Sequence, residues 1–129
     1  MLLNEHKNTK KQGDAGLGDA IAYFTSLGYT VSIPLTDSDD YDIIVDFTDV
    51  GLKKIQVKTS TFKRKSYEVL IKTNGGNQSR KTEKKFNGSS VDFLYILTLD
   101  GDRYLIPTKG ISNKNTITLG VKYNASKVT

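Results

Sequence analysis

Apolar residues recur along this chain at two spacings, and the spacings divide it into elements. Leu17, Ala20, Ile21, Phe24 and Leu27 fall on one stripe at helical period, so this segment reads as an amphipathic helix. Gly28 is placed to stop it, because the residue after a last helical turn often adopts a left-handed conformation that glycine tolerates best. The period then drops to two. Tyr29, Val31 and Ile33 alternate as far as Pro34, which closes a strand. Two further alternating runs, Tyr41–Val45 and Lys54–Lys58, flank the turn residues Thr48-Asp49-Val50-Gly51. Tyr67, Val69 and Ile71 mark a third strand on the side of these two. Residues 73–90, rich in Gly, Asn, Ser and Lys, read as a long loop. Phe93–Leu97 is apolar on both faces and predicts a buried central strand. Asp100-Gly101-Asp102 turns it into Tyr104–Ile106, ended by Pro107, and a weaker strand is predicted at Thr116–Leu119.

This order predicts one domain, residues 1–129, of class α/β (α+β by some conventions), with a mixed, mostly antiparallel sheet of four or five strands and flanking helices. Residues 1–12 are polar, a flexible arm or the start of the helix. No run approaches the roughly 18 apolar residues of a membrane span, and the N-terminus turns polar too early for a secretory signal. The absence of cysteine excludes disulfides and thiolate metal sites and suits a cytoplasmic location. His6 alone cannot build an imidazole zinc centre. A metal here must be held by oxygen, which points to Mg2+, with Mn2+ as the alternative.

Charge sharpens the picture. The net +5 resolves into a basic block, residues 53–85, with 11 Lys/Arg against Glu68 and Glu83, and a remainder that is net −4. Residues 37–49 hold six aspartates and no base. A charge cluster alone is usually a solvated face. A basic block next to an acidic segment, however, suits an enzyme acting on a polyanion: lysines position phosphates, and carboxylates hold the cation that neutralises one of them.

Alternation along Lys54–Lys58 puts Gln56 and Lys58 on one face and Ile55 and Val57 on the other. If Tyr41–Val45 is the hairpin partner, Asp42 reaches the Gln56/Lys58 face, and a carboxylate, an amide oxygen and an ammonium converge. Aspartate is disfavoured in a strand, so Asp42 at the head of Tyr-Asp-Ile-Ile-Val invites a ligand role over a turn role. Asp19 lies off the apolar stripe, free to look toward a strand end, although a first-turn acid favoured by the helix dipole would look the same. Asp14 competes for that position. Gly13, Gly16 and Gly18 do not make a phosphate loop, since no strand precedes them and no Gly-Lys-Ser/Thr follows.

Tyr41-Asp42, a short span and Gln56-Val57-Lys58 resemble the PD-(D/E)XK nuclease superfamily, with Gly18-Asp19 in place of its upstream Gly-Glu. With Gly28-Tyr29-Thr30-Val31, they are most similar to the Gln-x-Lys branch of group I intron homing endonucleases. The resemblance implies a restriction-endonuclease-like αβββαβ core and hydrolysis of DNA phosphodiesters with Mg2+. It implies that Asp42, Gln56, the Val57 carbonyl and Asp19 hold the metal, and that Lys58 stabilises the developing charge. Double-stranded or branched DNA is the implied partner. Cutting a duplex on both strands takes two sites in symmetric array, so a homodimer or homotetramer is expected, with the apolar Tyr95–Ile106 hairpin as a candidate interface. A Holliday-junction resolvase or repair nuclease shares these parts. The chain has no Pro before Asp42, Gln in place of an acid at 56, and Asp in place of Glu at 19. These departures also fit a DNA-binding module that has lost catalysis.

The DNA-facing groups expected from the charge map are Lys53, Lys54, Lys63, Arg64, Lys65, Arg80, Lys81, Lys84 and Lys85. Each phosphate neutralised releases counterions, so replacing Arg80, Lys81, Lys84 and Lys85 by alanine should flatten the salt dependence of DNA affinity by up to about four units of log–log slope. Affinity measured across a salt series checks this, and an unchanged slope places the DNA elsewhere.

Overall fold

The first helix begins well before its apolar stripe. In the computed structural model, α1 runs Thr9–Ser26, with the Asn8 side chain accepting a hydrogen bond from the Lys10 N–H at 2.9 Å as an N-cap. Its early turns are largely exposed, and Gly16, Ala20 and Phe24, spaced by four, form its buried seam. Leu27 is the C-cap and stays exposed, and Gly28 takes φ 89° as the pattern predicts. The structure describes residues 8–36, 38–60, 62–63, 66–71, 73–74, 83–84, 90–109, 111, 116–120, 123 and 126–128.

The strands are β1 (Thr30–Ser32), β2 (Ile43–Asp46), β3 (Leu52–Ser60), β4 (Phe62–Lys63), β5 (Ser66–Leu70), β6 (Thr73–Asn74), β7 (Glu83–Lys84), β8 (Phe93–Thr98), β9 (Arg103–Pro107) and β10 (Thr116–Thr118). Five of them form the main sheet in the order β1-β2-β3-β8-β9. Only the β3–β8 pair is parallel, with Val57 opposite Tyr95 and Lys58 opposite Ile96. The mixed five-stranded sheet is therefore as expected, with β3 at its centre and β8 next to it.

Two apolar layers sandwich this sheet. Ala20 and Phe24 of α1 pack on Ile43, Val45, Ile55 and Tyr95 on one face. Leu94, Ile96, Tyr104 and Ile106 on the other face pack against Val69, Ile71, Ile117 and Leu119. That second layer is a small sheet, β10-β5-β4, and not a helix. Flanking helices were expected, but α1 is the one α-helix among the described residues. The Tyr67–Ile71 run belongs to this covering sheet and does not extend the motif strands. Within the expected 73–90 loop, β6 and β7 pair as a ribbon, Thr73 opposite Lys84, and residues 75–82 lie outside the described part. The hairpin β8–β9 is not an open interface: Tyr95, Leu94, Ile96, Tyr104 and Ile106 are all core residues. At the outer edge of β9, Val128 donates its N–H to the Arg103 carbonyl at 2.7 Å and Lys127 bridges Tyr104. No helix among the described residues is long and apolar enough to cross a membrane.

Close approach of α1 to β3 depends on Gly16. A Cβ there would stand 2.5 Å from Thr59 Cγ2 and 3.6 Å from Val57 Cγ1. Thr59 is β-branched and stiff within a strand, so it cannot swing aside cheaply. Gly16→Ala gains about 1 kcal/mol of helix propensity but meets an overpacking cost of about 1–3 kcal/mol, so net destabilisation is expected. Gly16→Ala with Thr59→Ser removes the clashing methyl and should recover the propensity gain. Urea unfolding of both variants decides it, and equal losses would locate the strain elsewhere.

Candidate active site

Strand β2 ends one residue short of where β3 needs it. The last ladder pair is Ile43 opposite Ile55, and just before it the Asp42 N–H donates to the Ile55 carbonyl at 2.9 Å. Beyond that point β3 has no β2 backbone to pair with. The Asp42 side chain takes over: its Oδ2 accepts from the Val57 N–H at 2.7 Å. The N–H and C=O of one strand residue point to the same edge, so the Val57 carbonyl emerges on the Asp42 side as well. An open cavity of about 170 Å³, lined by Ile33, Pro34, Thr36, Asp39, Tyr41 and Asp42, adjoins it.

Gln56 and Lys58 project from the face of β3 opposite α1. Ile55 and Val57 belong to the α1-side core, and Ser60, in phase with Gln56 and Lys58, donates from its hydroxyl to the Glu68 carbonyl of the covering sheet at 2.6 Å. Lys54, on the same face, holds its ammonium 5.3 Å from the centre of the Tyr41 ring, a cation–π distance. Asp42 and Lys58 are thus within electrostatic reach of each other, and Gln56 shares the strand face of Lys58.

The electrostatics of this group are unrelieved. Burial pushes the Asp42 carboxyl pKa up, and the Val57 N–H and the Lys58 charge offset this only in part. Burial pulls the Lys58 ammonium pKa down, against the opposing charges of Asp42 and Asp40. Gln56 is 6 % exposed, and its Oε1 is a buried oxygen without a hydrogen-bond partner among the described residues. Orphaned buried acceptors are costly and call for a ligand. Among the described residues no three carboxylates or imidazoles converge, so a cation here must draw on the Gln56 amide and the Val57 carbonyl as well as Asp42. That set is hard oxygen, the chemistry of Mg2+.

Asp19 does not join them. It lies beneath α1 on the other face of the sheet, 7 % exposed, gripped by Arg103 through Nε–Oδ2 at 2.8 Å and a second bond at 2.6 Å, and by the Tyr95 hydroxyl at 2.7 Å. Burial opposes its ionisation, but the Arg103 and Tyr95 hydrogen bonds outweigh that and hold its pKa below the usual carboxylate value. The expectation of a metal ligand at 19 is corrected for this reason: its oxygens are already engaged by a guanidinium and a phenol. Asp40, which the motif does not include, adds a charge that acts on Lys58, and its Oδ2 accepts from the Ser90 hydroxyl at 3.4 Å.

Of the expected DNA-facing groups, Lys54 shares the site face, whereas alternation turns Lys53 toward the α1 face. Lys63 and Lys84 lie on β4 and β7, and Arg64, Lys65, Arg80, Lys81 and Lys85 fall outside the described residues.

The chain matches a family described as PD-(D/E)XK endonuclease over residues 7–127. It is similar in structure to a bacterial homing endonuclease, I-Ssp6803I, with a TM-score of 0.72 and 28 % sequence identity, over 88 % of this chain and 78 % of that one. No curated protein matches the sequence.

The pKa shifts give opposite signs for two groups of variants. Asp19, with its pKa lowered, contributes stability above about pH 4, the unfolded carboxylate value, and that contribution is lost as pH falls through its folded pKa. Lys58, half-buried and shifted down, opposes folding in its charged form at neutral pH. In EDTA at pH 7, Lys58→Met should raise the thermal midpoint, while Asp19→Asn lowers it and flattens the acid limb. Calorimetric melts from pH 3 to 8 test this, and a lowered midpoint in Lys58→Met would refute it.

Proposed function

This chain belongs to the PD-(D/E)XK endonuclease family, and from that membership we propose that it is a divalent-metal-dependent DNA endonuclease of homing type. The observation that carries the reading is the buried, partnerless Gln56 Oε1 on the same strand face as Lys58, whose ammonium feels the charge of Asp42. The similarity to a homing endonuclease supports the type. Asp42, the Gln56 amide oxygen and the Val57 carbonyl would hold Mg2+, with Mn2+ as a substitute. A cation bound there supplies a polarising charge at a phosphate oxygen and a bound water of lowered pKa.

The protein's own groups do the rest. Asp42 is held in place by the Val57 N–H at its Oδ2. Its raised pKa means that the site takes up its cation less readily as the solution becomes acidic, since a ligating carboxylate must be ionised. Lys58 donates hydrogen bonds toward the phosphate or the attacking water. Its desolvation makes it a better proton donor than a free lysine. Lys54 and the basic segment 53–85 draw in the duplex. Cutting both strands takes two such sites in symmetric array, so the working unit is a homodimer or homotetramer. The products expected by family chemistry are a 5′-phosphate and a 3′-hydroxyl.

Incubation with plasmid and four-way-junction DNA, with Mg2+ and with EDTA, tests the whole reading. Linear plasmid products that EDTA abolishes are expected. Lys58→Ala and Asp42→Asn should lower the cleavage rate by at least about 10²-fold, the scale of losing one transition-state contact, while DNA binding persists. Cleavage confined to junctions would instead identify a resolvase, and nicks alone would overturn the symmetric assembly. Undiminished cutting by Asp42→Asn would remove that residue from the site.

A further inference from the structure

Tyr41 precedes the β2 ladder, whose first pair is Ile43 opposite Ile55, so the chain just ahead of Asp42 is held by other means. A proline at 41 would fix one of its backbone angles, but this chain has tyrosine there. The Tyr41 ring is half-buried, packs against the core on the covering side of the sheet, and borders the cavity that Asp42 also lines. The Lys54 ammonium stands 5.3 Å from the centre of that ring, within cation–π reach. Lys54 is in turn fixed by Asp92, whose N–H donates to the Lys54 carbonyl at 2.9 Å and whose Oδ2 accepts from the Lys54 N–H at 2.9 Å. Buried Thr108 holds Asp92, donating from its N–H to the Asp92 carbonyl at 3.1 Å. These contacts link the start of β8, across β3, to the residue next to Asp42.

We propose that Tyr41 is the positioning residue for Asp42. Its ring, held by Lys54 and by the covering-side core, stiffens by side-chain contact the turn that a proline would stiffen by its own ring, and so keeps the Asp42 carboxylate on the Val57 N–H. The purpose of this device, a carboxylate held still for a cation, rests on the nuclease reading; its geometry does not. Asp92 serves the same end from the other edge of β3. Two aspartates thus bond this strand by both N–H and carboxylate where a neighbouring strand has run out, Asp42 beyond β2 and Asp92 ahead of β8. The ring is the part of Tyr41 that acts, because both of its contacts are made by the ring, so phenylalanine serves in its place and an aliphatic residue does not.

The Val57 amide reports the bond directly, so hydrogen exchange followed by NMR, on the full metal-free chain at neutral pH, tests the proposal without cleavage. Tyr41→Leu should speed Val57 exchange by about tenfold, the scale of a lost cation–π contact opening one local region. The Leu94 and Ile96 amides of β8 should keep their rates, and Tyr41→Phe should stay within about twofold of wild type at Val57. Calcium titration of the same proteins by calorimetry ties the geometry to the site. Tyr41→Leu should bind about tenfold more weakly, the low end for groups that support a metal's ligands, and Tyr41→Phe should bind as wild type does. Unchanged Val57 exchange in Tyr41→Leu would overturn the proposal. So would an equal loss of protection at Val57, Leu94 and Ile96, which marks a tyrosine that only stabilises the fold, or wild-type calcium affinity in Tyr41→Leu. Selectively faster Val57 exchange in a chain that binds no calcium even as wild type would uphold the positioning of Asp42 and sink the metal site of the nuclease reading.

Discussion

The Asp42 carboxylate occupies the place of a missing strand residue, and the geometry around it follows from that. A β-ladder fixes register at every rung, and a slip of one residue turns each side chain to the wrong face. Because Asp42 bonds both by its N–H, to the Ile55 carbonyl, and by its side chain, to the Val57 N–H, the ladder continues one rung past the end of β2. That rung sets where the Asp42 carboxylate stands along the strand that carries Gln56 and Lys58. Placement by backbone pairing is stiffer than placement by packing, which suits a site whose members must meet within hydrogen-bond tolerances.

Strand β3 separates structural from chemical duties. Its odd-numbered residues Ile55, Val57 and Thr59 meet α1, where Gly16 lets the helix approach closely. Its even-numbered residues Lys54, Gln56 and Lys58 face the site, and Ser60 ties the strand's end to the covering sheet. The first set stabilises the fold. The second includes a desolvated ammonium and an orphaned amide oxygen, both unfavourable until something binds. Holding the two sets on one strand lets the packed face support the strained one.

What could be read from sequence follows the range of the interaction. Gly28, the strands around the motif and the shared face of Gln56 and Lys58 were legible because they depend on neighbours within a few residues. The helix start was not, since its first turns carry no apolar stripe and only Asn8 marks the boundary. The fate of Asp19 was hidden for a different reason: its partner Arg103 lies 84 residues away, and no local pattern announces a pairing of that span. The covering sheet escaped notice because Tyr67–Ile71 alternates like any strand, and alternation does not say which sheet a strand will join.

The edges of the main sheet are unequal. At β9 the backbone is met by Lys127 and Val128, and the strand closes on Pro107, which offers no N–H. At the other edge β1 is three residues long, with Thr30 and Ser32 turned to solvent. A molecule able to accept a neighbour's strand on one side only can form a closed pair but cannot propagate an endless ribbon. Crowding many copies along DNA therefore carries little risk of fibre growth through this sheet.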